Sequence, residues 1–191
     1  MNEVVNALAP IASALEQLKT AWCLAGSVAS SIYGQPRSTM DVDIVADLKT
    51  TDVSEFVRLL NNRYYASEPM ILDAIQRESC FNLIHLTTSF KVDVFILKHR
   101  EFDQASMERI QQDQIGGSDS QLDVWVASVE DVILNKLEWY EKGNRTSERQ
   151  LSDVNAMLRG QRRLDTAYLR HWAEELKLTE LLEECLSEFQ P

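Results

Sequence analysis

Two aspartates, Asp41 and Asp43, stand inside a mostly apolar stretch that runs from residue 40 to residue 46. Residues two apart in an extended strand point to the same face, and their Cα atoms lie roughly 6.5 to 7 Å apart. Carboxylates this close repel each other, and a hard cation held between them relieves the repulsion. The spacing therefore indicates a site for Mg²⁺ or Mn²⁺. The alternative, a solvated strand end, leaves the apolar run beside the aspartates unexplained.

A third aspartate, Asp93, lies in a second apolar stretch, between Val92 and Val94. An unpaired charge at such a position is costly to bury. A cation shared with Asp41 and Asp43 would explain why Asp93 occupies this apolar stretch. The sequence therefore predicts one cluster of three carboxylates.

A strand-to-helix turn precedes the first two carboxylates. The apolar residues 22–25 end at Gly26 and Ser27, and a helix is predicted over residues 28–33. Free backbone N–H groups and the positive end of a helix bind anions, and glycine permits close approach of a phosphate. Only thirteen residues separate Ser27 from Asp41, so we expect the turn and the carboxylates to face the same cleft.

These three segments resemble the signature of the nucleotidyltransferase superfamily, which is related in fold to DNA polymerase beta. The resemblance lies in AGSVA at residues 25–29, PRSTMDVDIV at 36–45 and KVDVF at 91–95. Within the superfamily, the Arg-Ser-Thr at 37–39 and the segment SVEDVILNKL at 128–137 look like AbiEii-type toxins and related uncharacterised proteins. The resemblance covers about residues 20–160.

The resemblance implies a role for each matching residue. Asp41 and Asp43 would ligate two metal ions, and Asp93 would complete the inner metal site and help to position the attacking hydroxyl. The residues implied to contact the triphosphate are Gly26, Ser27, Arg37, Ser38, Thr39 and Lys136. The implied reaction needs few other protein groups, because in-line phosphoryl-type transfer depends mainly on positioning and charge neutralisation.

Structural roles are the alternatives for several charged and aromatic residues. Lys136 can be an exposed helical lysine, and Arg37 can be a surface charge. Asp153 is predicted to pair with Arg149, one helical turn away. Four aromatic residues are predicted to belong to the core rather than to a base-stacking platform: Trp125, Trp139, Tyr140 and Trp172.

Periodicity of the apolar residues predicts the elements that would position this chemistry. Helices are predicted over residues 3–19, 28–33, 52–61, 69–77, 129–142, 147–159, 166–177 and 180–189. Ser128 is predicted to be the N-cap of the helix over 129–142, because Asp131 stands three residues on in the acidic position of a capping box. Strands are predicted over residues 22–25, 40–46, 81–86, 91–97 and 122–127, with 81–86 and 91–97 as a hairpin. The polar stretch through Gly116 and Gly117 is predicted to be a loop.

The element order predicts an α/β (α+β) fold, in which a small mixed sheet is flanked by helices and followed by a helical C-terminal region. A nucleotidyltransferase-like catalytic core is expected over residues 1–120. The last strand and the helical region that complete the same unit are expected over residues 121–191.

Composition limits the classes of partner. The net charge of −11 argues against a large, non-specific nucleic-acid surface, because such binding needs many Lys and Arg contacts to phosphate. A small triphosphate site remains compatible, since metal ions supply positive charge locally. The first residues lack the basic segment of a signal peptide and no stretch reads as a membrane span, so a cytoplasmic protein is expected. The three scattered cysteines are expected to be ordinary thiols.

The predicted function is a metal-dependent nucleotidyltransferase that moves a nucleoside monophosphate from a nucleoside triphosphate to a hydroxyl acceptor. The sequence leaves the acceptor open among an RNA end, a protein and a small molecule. The alternative is a catalytically silent module of a toxin–antitoxin type system, which binds nucleotide or a cognate toxin or antitoxin partner.

Overall fold

A computed structural model describes residues 2–36, 38–39, 41–117 and 120–188. The described chain divides into two compact units, one of residues 2–25 and 39–126 and the other of residues 26–38 and 127–188. The catalytic core that was expected to end at residue 120 stays a prediction. No helix within the described ranges is long and apolar enough to cross a bilayer.

The first unit is built on a mixed β-sheet. In chain order its strands are β1 (Trp22–Leu24), β2 (Asp41–Ala46), β3 (Tyr64–Tyr65), β4 (Cys80–His85), β5 (Lys91–Ile96), β6 (Gln111–Gly117) and β7 (Ser120–Val126). Across the sheet the described strands follow the order β3-β4-β5-β2-β1-β7-β6. The pairs β2–β5 and β1–β7 are parallel, and the other pairs are antiparallel. The predicted mixed sheet, including the β4–β5 hairpin, is confirmed.

The helices follow the predicted order, with one addition. They are α1 (Asn2–Gln17), α2 (Gly26–Tyr33), α3 (Val53–Leu59), α4 (Glu68–Gln76), α5 (Glu101–Glu108), α6 (Val129–Lys142), α7 (Glu148–Gly160), α8 (Thr166–Glu175) and α9 (Thr179–Ser187). Helices α1, α3, α4 and α5 belong to the first unit, and the others belong to the second. The predicted α/β class is therefore confirmed; α5 and β3 were not predicted.

One face of the sheet is closed by α1. Helix α1 contacts β2, β5, β6 and β7, and the Tyr64 hydroxyl of β3 donates to the Ala7 carbonyl of α1 at 2.7 Å. Val42 and Ile44 of β2 are fully buried, as are the matching residues of β5. Burying each such side chain contributes roughly 1.5 to 3 kcal/mol. Since side chains alternate along a strand, this packing leaves the aspartates of β2 and β5 on the other face.

The second unit packs its helices around α6. Helices α2, α7 and α8 contact α6, and α9 contacts α7 and α8. Ser128 is the N-cap of α6, as predicted: the Asp131 N–H donates to the Ser128 hydroxyl, which donates to the Asp131 carboxylate at 2.5 Å. The second carboxylate oxygen of Asp131 accepts from the Tyr168 hydroxyl of α8 at 2.7 Å. A buried cap therefore also connects two helices.

The predicted loop through Gly116 and Gly117 is wrong, because these residues end strand β6. Strand β6 pairs with β7 along its whole length, from Gln111 opposite Val126 to Gly117 opposite Ser120. Backbone hydrogen bonds hold this edge strand, and its residues 111–114 are all exposed. No apolar alternation was therefore present from which to predict the strand.

The aromatic residues are only partly in the core. Trp172 is buried, with 9% of its surface exposed, and Trp125 and Tyr140 are half-buried. The core prediction is wrong for Trp139, which is 54% exposed. Trp139 follows the buried Leu137 by two residues, which is about 200° around the helix and therefore on the opposite side.

The hairpin between β6 and β7 provides a matched pair of glycine substitutions. Gly116 has φ of 116°, and an added Cβ would lie 1.9 Å from the Ser120 carbonyl oxygen. A Cβ at Gly117 would meet no atom of the described residues within 4 Å. We predict that Gly116→Ala lowers the free energy of unfolding by about 1 to 3 kcal/mol or more. Gly117→Ala should change it by less than about 0.5 kcal/mol. Urea denaturation measures both, and equal effects would contradict the close approach of Gly116 to the Ser120 carbonyl.

The contribution of the Ser128 cap to stability can be measured by substitution. Ser128→Ala removes the acceptor of the Asp131 N–H and one donor to a buried carboxylate, so it should lower the free energy of unfolding by about 1 to 3 kcal/mol. The matched control is Ser147→Ala, because Ser147 precedes α7 without a side-chain capping bond. Urea denaturation of both variants tests this, and a Ser128→Ala protein as stable as the control would refute the cap's contribution.

Candidate active site

The sheet of the first unit places three aspartates on one face. Strands β2 and β5 are parallel, with Asp43 opposite Asp93 and Asp41 opposite Lys91. Neighbouring strands lie about 4.8 Å apart, so the Asp43 and Asp93 side chains leave the sheet side by side. All three aspartates are half-buried, whereas the residues between them are buried. The predicted carboxylates therefore share one face of the sheet, and Asp43 and Asp93 are directly opposite each other.

Lys91 is the cation of this carboxylate face, and the sequence analysis missed it. Its ammonium Nζ lies 2.7 Å from Asp93 Oδ2 and 3.9 Å from Asp41 Oδ2. The hydrogen bond to Asp93, together with the charges of Asp93, Asp41 and Asp43, raises the Lys91 pKa above its ordinary value. Its position two residues before Asp93, on the same strand face, was the available signal.

Two uncharged side chains orient the carboxylates. The Asn82 side-chain amide, on β4 directly opposite Asp93, donates to Asp93 Oδ1. The Thr39 hydroxyl donates to Asp41 Oδ1 at 2.8 Å. Thr39 was predicted to contact nucleotide, and here it holds Asp41. Asn82 was not predicted, because its partner lies on the neighbouring strand.

Cys80 belongs to the same electrostatic environment. Burial, followed by the charges of Asp93 and Asp43, raises the pKa of the Cys80 thiol to about 12. The thiol is therefore protonated at neutral pH and is a weak nucleophile. This agrees with the expectation that the cysteines are ordinary thiols.

The donor set of the carboxylate face suits a hard divalent cation. Mg²⁺ prefers oxygen ligands and commonly takes one or two carboxylates together with substrate phosphates and water. Asp43 and Asp93, adjacent in register, form such a pair, and Asp41 is next on the same face. Within the described residues, no three acidic, histidine or cysteine side chains converge on one point. The oxygen donors of Asp43 and Asp93 fit a divalent cation that takes its other ligands from substrate and water.

The predicted phosphate-binding turn lies at the start of α2 in the second unit. Gly26 is the first residue of α2 and has φ of 56°, a left-handed conformation that glycine adopts readily. The Ser27 carbonyl accepts hydrogen bonds from the hydroxyls of Ser31 at 2.8 Å and Ser30 at 3.1 Å. The first N–H groups of a helix lack acceptors within the helix, so the turn has the local form of an anion site.

Lys136 is a buried ion-pair partner, so the alternative of an exposed lysine is wrong. Its Nζ donates to Asp153 Oδ2 at 2.8 Å and to Gln150 Oε1 at 3.2 Å, and its side chain is 6% exposed. The predicted pair between Asp153 and Arg149 is also wrong. Arg149 is exposed on α7, whereas the Asp153 side chain is 11% exposed and lies against Lys136.

A chain of hydrogen bonds links the α2 turn to Lys136 within the second unit. The Ser30 hydroxyl lies 3.1 Å from the Ser27 carbonyl and 3.4 Å from Asp153 Oδ2, which accepts from Lys136. Two residues predicted to bind triphosphate, Ser27 and Lys136, are thus connected through Ser30 and Asp153. Ser30 carried a signal, since a residue three positions after Ser27 shares its helix face.

Two further predicted residues, Arg37 and Ser38, come shortly before β2 in the sequence. Ser38 is exposed, and Arg37 lies outside the described residues. The structure therefore brings Thr39 together with Asp41, Asp43 and Asp93 in the first unit. Gly26, Ser27, Ser38 and Lys136 belong to the second unit.

The second unit also contains a cavity of about 530 Å³. Its lining includes Gly34, Tyr140, Glu148, Asn155 and Arg159. The buried Asn155 Oδ1 has no hydrogen-bond partner among the described atoms. None of the described residues that were predicted to bind nucleotide lines this cavity, so it is separate from the predicted triphosphate contacts.

The fold is similar to that of solved nucleotidyltransferases. An antigenic nucleotidyltransferase-like protein from Paracoccidioides brasiliensis superposes with a TM-score of 0.55 at 14% identity, covering 98% of this chain and 93% of that one. The antibiotic-resistance factor ANT(2'')-Ia, in complex with adenylyl-2''-tobramycin, superposes with a TM-score of 0.55 at 11% identity, covering 98% and 99% of the two chains.

At the level of sequence alone, no protein-family model and no curated protein matches this chain. The solution structure of ANT(2'')-Ia superposes with a TM-score of 0.53 over 98% of this chain and 95% of that one, at 11% identity. At these identities the similarity concerns architecture. This chain has the nucleotidyltransferase fold.

Proposed function

We propose that this protein is a metal-dependent nucleotidyltransferase, which transfers a nucleoside monophosphate from a nucleoside triphosphate to a hydroxyl acceptor with Mg²⁺ or Mn²⁺. The observation that carries the proposal is the in-register pair of Asp43 and Asp93, with Asp41 on the same face. The nucleotidyltransferase fold of the chain supports it.

In the proposed reaction, the acceptor oxygen attacks the α-phosphorus of the triphosphate. A new oxygen–phosphorus bond forms, the bond to pyrophosphate breaks, and pyrophosphate leaves in line with the attacking oxygen. Asp93 accepts a hydrogen bond from the acceptor hydroxyl and takes its proton. A divalent cation at the carboxylates would neutralise charge on the triphosphate. The Lys91 ammonium and the Asn82 amide hold Asp93 in position.

The triphosphate contacts remain part of the proposal. Gly26 and Ser27 offer the N–H groups of a helix start, and Lys136 is tied to that start through Ser30 and Asp153. Ser38, Thr39 and Arg37 lie in the segment that leads to the carboxylates. Of these, Thr39 acts through Asp41, because its hydroxyl donates to that carboxylate.

A second function is favoured by one contact. The Lys91 ammonium at 2.7 Å from Asp93 already supplies a positive charge to the carboxylate face. A catalytically silent module, which binds nucleotide or a protein partner, would keep this internal pair in place of a cation. The two functions differ in one measurable property, which is formation of a covalent nucleotidyl product.

Transfer to each class of acceptor tests the proposal. Each α-labelled nucleoside triphosphate, with Mg²⁺, is incubated with RNA, with protein and with small hydroxylated compounds. The small-molecule arm includes tobramycin, because ANT(2'')-Ia was solved with its adenylylated form. We expect labelled product in one arm and none without the divalent cation. Labelled product in no arm would favour the silent module.

Asp43→Asn removes one carboxylate charge at nearly constant volume, so the variant should remain folded and lose metal-dependent transfer by at least about a hundredfold. Its stability without metal should equal or exceed that of the wild type, because repulsion with Asp93 is relieved. The matched control is Asp47→Asn, at the end of the same strand and paired with Lys49. Transfer at the wild-type rate by Asp43→Asn would refute the assignment.

Lys136→Gln tests the proposed phosphate contact while keeping a hydrogen-bonding group beside Asp153. Loss of a charge-assisted contact should weaken triphosphate binding by roughly ten- to a hundredfold, or about 1.5 to 3 kcal/mol, and leave nucleoside binding unchanged. Calorimetric titration with both ligands measures this ratio. Partial unfolding would weaken both ligands equally, so the ratio controls for the loss of a buried ion pair. An unchanged ratio would limit Lys136 to holding α6 against α7.

A further inference from the structure

Three large apolar side chains of the first unit are exposed at one edge of the sheet. Tyr65 on β3 is 59% exposed, Ile84 on β4 is 39% exposed, and Leu86, which follows β4, is 59% exposed. The Leu86 N–H donates to the Arg63 carbonyl, so strand pairing continues through this residue. Contiguous exposed apolar side chains commonly mark binding surfaces.

The register places these side chains on the carboxylate face. Tyr65 is opposite Ile84, Ile84 is opposite Lys91, and Lys91 is opposite Asp41. These four residues therefore form one row across four strands, at about 4.8 Å per strand. The intervening residues, such as Tyr64 and its ring partner His85, are buried on the opposite face, with ring centroids 5.2 Å apart.

Asp93 lies between the other carboxylates and this apolar edge. Asn82 is directly opposite Asp93, and Ile84 is the next residue of β4 on the same face. Diagonal neighbours of this kind are about 7 to 8 Å apart. An acceptor whose hydroxyl reaches Asp93 can therefore extend over Ile84 and Tyr65, on the side of Asp93 away from Asp43.

The chemistry of this edge selects the kind of acceptor. Tyr65, Ile84 and Leu86 present one aromatic ring and two aliphatic side chains. Lys91, which is next on the row of Tyr65 and Ile84, is paired with Asp93 and Asp41. A flat aromatic or apolar ring can stack on Tyr65 and cover Ile84, which removes apolar area from water.

We propose that Tyr65, Ile84 and Leu86 form an acceptor platform, which binds the neutral aromatic or apolar ring of a small acceptor whose hydroxyl reaches Asp93. This proposal rests on the proposed function. The acceptor oxygen forms the bond to the α-phosphorus, its proton passes to Asp93, and pyrophosphate leaves. The distance from Ile84 to Asp93 requires roughly one sugar-sized unit between the ring and the reacting hydroxyl.

Two glucosides provide matched probes. 4-Nitrophenyl β-glucoside and methyl β-glucoside carry the same sugar hydroxyls and differ only in the aromatic ring. With α-labelled ATP and Mg²⁺, we expect kcat/KM for nucleotide transfer to the nitrophenyl compound to exceed that for the methyl compound by at least about tenfold.

Variants connect this preference to the platform. Tyr65→Ser and Ile84→Ser should each reduce the preference about tenfold through KM and leave the binding of ATP with Mg²⁺ unchanged. The matched control is Leu72→Ser, because Leu72 is 40% exposed on α4, close to the 39% of Ile84. This control should keep the wild-type preference. A preference that survives Tyr65→Ser and Ile84→Ser would overturn the proposal.

A binding measurement that does not depend on catalysis tests the platform independently of the proposed function. In protein labelled at isoleucine and leucine methyl groups, 4-nitrophenyl β-glucoside should shift the Ile84 and Leu86 resonances in both wild type and Asp43→Asn. Binding to the wild type without any transfer by the wild type would contradict the proposed catalysis and support the platform. The absence of shifts at millimolar probe would overturn the platform.

A second copy of the chain is the competing occupant of this surface. Sedimentation velocity of wild type and Tyr65→Ser distinguishes the two. A monomer is expected for both proteins. A wild-type dimer that dissociates on Tyr65→Ser would assign the surface to self-association and would overturn the proposal.

Discussion

The pairing of parallel strands β2 and β5 is the constraint on which the carboxylate face depends. It sets Asp43 directly beside Asp93, with Asp41 beside Lys91. Two unit charges about 4 Å apart repel by about 1 kcal/mol in water and by about 4 kcal/mol at the effective dielectric near a protein surface. The sheet tolerates this repulsion because Lys91 and Asn82 provide donors to Asp93.

The opposite face of the same strands supplies the energy that maintains this arrangement. Valine and isoleucine side chains of β2 and β5 are completely buried on the α1 side of the sheet. Because strand periodicity is two, a shift of register by one residue would bury the aspartates and expose these side chains. Hydrophobic packing on one face therefore fixes the positions of the charges on the other.

The second unit also contains charged side chains that are shielded from water, and there an ion pair stabilises them. Lys136 and Asp153 are both nearly buried, and each compensates the charge of the other. Removing one partner of a buried pair commonly costs about 3 to 5 kcal/mol, whereas exposed pairs contribute little. The pair also fixes α6 against α7 and, through Ser30, lies next to the start of α2. Packing of this unit and the local environment of its helix start are therefore coupled.

Local patterns in the sequence were sufficient for much of this description. The alternation around Asp41 and Asp93 predicted strands with carboxylates on one face, and Ser128 with Asp131 predicted the capped start of α6. These features depend on residues within a few positions of one another, so their physical causes can be read directly from the chain. Strand β6 was missed because its pairing uses backbone groups and its first four side chains are exposed.

By itself, the sequence determined the residue types of the carboxylate face, their spacing and the elements that carry them. Only the tertiary structure decided that Lys91 lies against Asp93, that Lys136 pairs with Asp153 rather than reaching the surface, and that Trp139 is exposed. The physical reason is that a charge is stabilised by whatever lies across the neighbouring strand or helix. That partner is set by register and packing between segments far apart in the chain, which local periodicity does not encode.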